Sequence, residues 1–225
     1  MTDFIFDEFK QGVLSQIHDA ERNILIWQHI ADEKEFLETQ PEDVQQLYSF
    51  LQLAAQTNFV LSVGKLFDKP KNYPTQCILY FLTLVEKRAD KNLEIVEDSS
   101  TKMLLARYNA SHFLIKAVNS EDWSQFPKHF VTYYREKYNS QQVQDDIKQV
   151  KLMRDKVVAH NEATESIKLE FELVQRLLKF ATEVVSVFGM PYHSTIWETG
   201  KISMITENAK RNAWFVKSGI QKLKK

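Results

Sequence analysis

Glycine and proline are scarce along this chain, five of each in 225 residues. Ordinary composition would supply roughly sixteen and eleven. A many-stranded sheet needs turn residues at each reversal, so the long stretches between these breakers are predicted to be helices. Those stretches are rich in Leu, Lys, Glu, Gln and Ala, which lose little on entering a helix. The fold class that follows is all-α, a bundle of six or more helices joined by short loops.

Apolar spacing divides the chain further. Phe9, Val13, Ile17, Ile24, Trp27 and Ile30 recur at the helical period and predict a first helix from about Phe4 into the thirties. Pro41, with Thr39 and Glu42 at the spacing of a capping box, predicts a second helix opening near 41. It runs to about Phe67, where the prolines of LFDKPKNYP break it. Further helices are predicted over about 75–88, 101–118 and 120–138, with ADKNLEIVEDSS a loop, or a short helix with frayed ends, between the first two. Asn139 and Ser140 are cap candidates for a helix through QQVQDDIKQVKLMRDKVV. A long helix over about 166–188 is predicted to close at Gly189 and Pro191, and residues 192–200 to be irregular. A last amphipathic helix covers about 202–223.

No apolar run approaches the ~20 residues that a membrane-spanning helix needs. MTDFIFDEFK is acidic and lacks the basic and apolar segments of a secretory signal. Cys77 is the lone cysteine, so no internal disulfide can form. A cytoplasmic protein without a membrane partner is expected. The net charge of −1 is uneven: residues 201–225 carry seven Lys or Arg against one acid, Glu207. Of the chain's 29 basic and 30 acidic groups, 22 and 29 are left to the first 200 residues, a net of −7. An acidic body with a basic tail makes the body as a whole a poor electrostatic match for nucleic acid.

One predicted helix carries an unusual residue. With Val143 at zero and about 100° per residue, Ile147 falls near +40°, Val150 near −20° and Val157 near −40°. Arg154 falls near +20°, inside this apolar stripe, and Asn161 near 0°. A guanidinium on an apolar face is costly unless paired. Arg154 is therefore expected to have an internal partner, or to face a cleft or another chain. His160 lies about 120° round and roughly 9 Å along a continuous helix. The two converge on one atom if the helix ends near Ala159, or if the Arg of one chain meets the His of another.

An Arg, four to six residues and then a His, with a polar residue after the Arg, is the nuclease motif of HEPN proteins (the higher eukaryotes and prokaryotes nucleotide-binding fold). Arg154, Asp155 and His160 take those places. VGKLFDKPK, with Asp68, and MRDKVVAHNE resemble the abortive-infection AbiU-like branch of that family. The bare pattern recurs from Arg22 to His29 and from Arg107 to His112, but these lack the same flanks. The resemblance implies an up-and-down helical core with additional helices over residues 1–190. Residues 191–225 are then a basic amphipathic helical extension packed on or beside it. It also implies a metal-independent endoribonuclease without cofactor, in phage defence or a toxin–antitoxin system with an antitoxin protein. RNA is the implied substrate, and the site is composite across a homodimer. His160 would be the general acid or base, Arg154 would offset phosphoryl charge, and Asp155 or Asn161 would orient the His or the RNA, with Asp68 in support. The alternative is a catalytically inactive helical module that recognises a protein or nucleic-acid partner. In it Arg154 forms a structural ion pair with Asp68 or an acid of the first helix, and His160 and Asn161 cap the helix.

Zinc-protease, di-iron, phosphate-loop, dinucleotide and nucleophile-elbow signatures are absent. His18, His29, His112, His129 and His193 read as isolated, and Cys77 as a core residue. In KRNAWFVKSGIQKLKK, Lys210, Arg211, Trp214 and Lys217 are candidates for RNA contact by stacking and charge. The competing expectation is a terminal helix that docks Trp214, Phe215, Ile220 and Leu223 on the body and turns its lysines to water. FPKHFVTYYREKY is expected to supply core and interface aromatics.

Overall fold

The computed structural model describes residues 10–71, 74–88, 99–108, 114–115, 123–159, 171–193, 198–199 and 202–224. These form an all-α helical bundle. A π turn, Lys10–Leu14, leads into α1 (Ser15–Ala31), followed by the single-turn α2 (Lys34–Leu37) and the long α3 (Glu42–Leu66). Next come a 3-10 turn (Pro74–Gln76), α4 (Ile78–Arg88) and α5 (Ser99–Arg107). A second 3-10 turn (Trp123–Gln125) opens α6 (Phe126–Tyr138), followed by α7 (Gln141–Ala159) and α8 (Phe171–His193). An antiparallel pair, β1 (Glu198–Thr199) and β2 (Ile202–Ser203), precedes α9 (Met204–Leu223). Among the described residues no helix is long and apolar enough to cross a membrane.

Several local expectations are corrected. The Thr39–Glu42 capping box does not form: Thr39 Oγ1 donates backwards to the Phe36 carbonyl at 2.7 Å, and α3 starts after Pro41 without a side-chain cap. Ser140 likewise closes the preceding helix, its hydroxyl donating to the Lys137 carbonyl at 2.8 Å. The helix expected over 101–118 begins earlier, at Ser99, and runs to Arg107 with Tyr108 in a turn; Leu114 and Ile115 are again helical, and the rest of the expected span lies outside the described residues. β1 lies in the stretch expected to be irregular, and β2 takes the first two residues of the helix expected from 202, so that α9 starts at Met204. Finally, α8 continues through Gly189 and Pro191 to His193. Residues 180–189 are buried on every side, and that burial outweighs the poor helix propensity of Gly189.

α1 packs on α3 and α9, α3 also on α7, α4 on α6, and α8 on α5 and α7. The main core gathers Ile17, Phe59, Val63, Leu66, Phe81, Phe130, Tyr134, Val150, Leu177 and Val184. The aromatics of α6 belong to it: Phe126, Phe130, Tyr134 and Tyr138 are buried, and the Phe130 and Tyr134 rings lie 4.7 Å apart. Gly12 allows the π turn to lie against the Thr75 carbonyl, a space that a Cβ would fill. A smaller cluster of Ile26, Ile30, Leu37, Tyr48, Ala55, Ala213, Val216 and Ile220 seats α9 against α1, α2 and α3. α9 therefore docks through Ala209, Ala213, Val216 and Ile220, not through its aromatics: Trp214 is 62% exposed and Phe215 58%.

Candidate functional site

The residues singled out around Arg154 meet where the end of α3 passes α7. The apolar stripe of α7 is Ile147, Val150 and Met153, all buried. Arg154 sits beside it, its side chain a quarter exposed. Its aliphatic stem crosses α3 at Gly64, where a Cβ would stand 3.3 Å from Arg154 Cδ. That glycine makes the crossing possible and was not singled out from the sequence. A lone Gly inside an otherwise apolar helix is the signal of such a close approach.

Beyond Gly64 the guanidinium meets Asp68, just past the end of α3. Arg154 Nη1 donates to Asp68 Oδ2 at 2.5 Å. Nε and Nη2 both donate to Asp155 Oδ1 at 3.1 Å. Lys151, one turn earlier on α7, lies 3.9 Å from Asp68 Oδ1. Arg154, Lys151, Asp68 and Asp155 thus form a cluster whose two positive and two negative charges balance. Burial lowers the pKa of Arg154, but the hydrogen bonds and charges of Asp68 and then Asp155 outweigh it, and the net shift is upward. Three of the five guanidinium N–H groups are engaged among the described residues.

Beneath the cluster lie two neutral acids. Burial, then the charge of Asp68, pushes the Cys77 thiol up to about 11, with Lys151 opposing. Burial, then Cys77 and Asp68, pushes the Tyr138 phenol up to about 12, and its hydroxyl donates to the Phe67 carbonyl at 3.2 Å. A buried thiol held protonated is a poor nucleophile, so Cys77 is a packing residue here.

The chain matches no family model, no curated protein and no solved structure. Arg154, Asp155 and Asp68 are brought together. His160 and Asn161, the other members of the motif, lie outside the described residues, as does His112. α7 is continuous as far as Ala159. Lys210, Arg211, Trp214 and Lys217 lie on α9, a separate element. That helix meets α3 at Tyr48, whose hydroxyl would be 3.0 Å from a Cβ on Gly219. Tyr48 and Gly64 are about 24 Å apart along α3. Among the described residues no group of three or more His, Cys, Asp or Glu is placed to hold a metal ion.

A second polar region was missed by sequence reading. Glu183 of α8 is buried and accepts both contacts of Lys137 Nζ, at 2.6 and 2.7 Å, and the Tyr134 hydroxyl at 3.2 Å. Two turns back, Arg176 forms a two-point pair with buried Asp146 at 2.7 and 2.9 Å. The two pairs flank an open cleft of about 420 Å³ whose other walls include Val143, Leu177 and Phe180. Nothing local in the sequence marks them, because the partners in each pair are 46 and 30 residues apart.

Proposed function

We propose that the chain is a HEPN-like, metal-independent endoribonuclease of a phage-defence or toxin–antitoxin system, with Arg154 and His160 as its reacting pair. The observation that carries this reading is the seating of Arg154. Two carboxylates hold its guanidinium in one orientation at a partly exposed position, six residues before His160. The ribose 2′-hydroxyl attacks the adjacent phosphate, His160 exchanges the protons, and Arg154 offsets charge on the phosphoryl oxygens. Asp155 and Asp68 aim the guanidinium, an assignment supported by their hydrogen bonds to it. On an uninterrupted helix, residues six apart are offset by about 120° and roughly 9 Å, and this spacing in the sequence favours a composite site in a homodimer, the Arg of one chain facing the His of the other.

A second reading is favoured by the same contacts. Arg154 is already paired with Asp68 and Asp155, and this suffices for a structural tie between α3 and α7 in a catalytically silent module that recognises a protein or nucleic-acid partner. One experiment separates the two. Labelled RNA is incubated in EDTA with wild-type protein, Arg154→Ala and His160→Ala, each verified as folded by circular dichroism. The nuclease reading requires that the wild type cut and that both variants lose the activity. Intact RNA with the wild type, or equal cleavage by all three, moves the assignment to the silent module.

A further inference from the structure

We infer that the outward face of α9 is a binding platform for single-stranded nucleic acid. α9 presents its smallest apolar residues to the body: Ala209, Ala213, Val216 and Ile220 are all buried. This leaves two consecutive large aromatics facing solvent, Trp214 at 62% and Phe215 at 58% exposure. Single exposed apolar residues are ordinary on a surface, but these two stand in a cationic field. Lys210, Arg211 and Lys217 are four and three residues before Trp214 and three after it, within one helical turn, and Lys222 lies two turns beyond Phe215 on that residue's side of the helix. All four are exposed. Glu207 is the one acid of the helix, and its contact with Lys210 at 2.8 Å is an exposed pair that a phosphate can replace at little cost.

Aromatic faces ringed by cations are what a single strand requires: bases stack on the rings and phosphates meet the lysines and arginine. In a duplex the base faces are already stacked on one another. An anionic membrane fits less well, because an interfacial helix inserts its apolar face, and that face of α9 is already buried against α1 and α3. The platform also answers a need of the proposed nuclease. The Arg154 cluster is electrically balanced, so attraction of a polyanion has to come from elsewhere on the molecule. The inference deepens the nuclease reading by naming how its substrate is held, but strand binding stands or falls by itself.

The test is fluorescence anisotropy in EDTA with labelled oligouridylate and oligodeoxythymidylate of equal length, using the full chain. Wild-type protein should bind the single strands. Trp214→Ala/Phe215→Ala should weaken both by about tenfold or more, and Trp214→Phe should retain most of the affinity. Lys210→Gln/Lys217→Gln should make the slope of log K against log salt shallower by about 1. A preference for the ribose strand identifies RNA as the ligand, and equal binding identifies single strands in general. Absence of strand binding, affinity unchanged in Trp214→Ala/Phe215→Ala, duplex binding of equal strength, or Trp214-dependent capture by phosphatidylserine vesicles without strand binding would each overturn the inference. Trp214-dependent binding by a protein that cuts no RNA would remove the nuclease reading and leave the platform standing.

Discussion

Arg154 on α7 and Asp68 beyond the end of α3 are joined by a 2.5 Å contact across two elements 86 residues apart. Asp155 holds the other edge of the same guanidinium. Asp68→Ala should therefore destabilise the fold by about 1–2 kcal/mol in urea titrations, since the pair is only partly buried. Asp155→Ala, at an exposed side chain, should cost less than about 0.5 kcal/mol. If Arg154 acts on phosphate, both variants should lower cleavage more than their stability losses account for, because the guanidinium is no longer aimed.

Gly64 provides a second handle on that pair. A side chain there meets the Arg154 stem at 3.3 Å, so Gly64→Val should push the guanidinium away from Asp68. A double-mutant cycle reads this directly. In the Gly64→Val background, Asp68→Ala should cost less than about 0.5 kcal/mol. An undiminished cost would mean that the crossing at Gly64 does not seat the pair.

Cys77 and Tyr138 predict an alkaline limit to stability. Both are acids whose neutral form is favoured in the fold, Cys77 rising from 9.0 to about 11 and Tyr138 from 10.0 to about 12. A folded pKa above the unfolded value gives a contribution that is complete below the unfolded pKa and is lost as pH climbs to the folded one. Melting temperature should accordingly fall between about pH 9 and 12, and Cys77→Ala should remove the part between 9 and 11. At pH 8 the Cys77 thiol is held in its protonated form. A thiol reagent should leave the native protein unlabelled and modify one group per chain after denaturation.

The pairs around the α8 cleft should respond asymmetrically. Lys137→Ala leaves Glu183, 5% exposed, with the Tyr134 hydroxyl but without its cation, and should cost about 3 kcal/mol in chemical denaturation. The double replacement Lys137→Met/Glu183→Leu should recover most of that loss, because no buried charge is left uncompensated. A double variant no more stable than Lys137→Ala would mean that the pair holds α6 to α8 through its geometry.

Legibility differed from element to element. α3, α6 and α7 fall within a few residues of where apolar periodicity and proline placed them. Periodicity put Arg154 inside the apolar stripe of α7, where the structure has it beside the stripe and a quarter exposed, and Asp68 was one of the partners expected for it. It misjudged the caps of α3 and α7, because a hydroxyl at a helix junction can serve the helix before it or the helix after it with similar local geometry. It also missed Glu183–Lys137 and Asp146–Arg176, whose partners are distant in sequence.

The helical class was settled by the sequence itself: few breakers and a sustained 3.6-residue apolar period are local properties, and they survive any packing. What α9 turns outward was a tertiary decision. Its sequence offers two apolar choices, the large Trp214 and Phe215 or the stripe of Ala209, Ala213, Val216 and Ile220. α1 and α3 took the stripe, because small residues let helix backbones approach and bury more neighbouring surface. The continuation of α8 past Gly189 was decided in the same way, since residues 180–189 are buried on every side. Local propensity is worth about 1 kcal/mol at a glycine, and contacts summed over the buried run 180–189 exceed it.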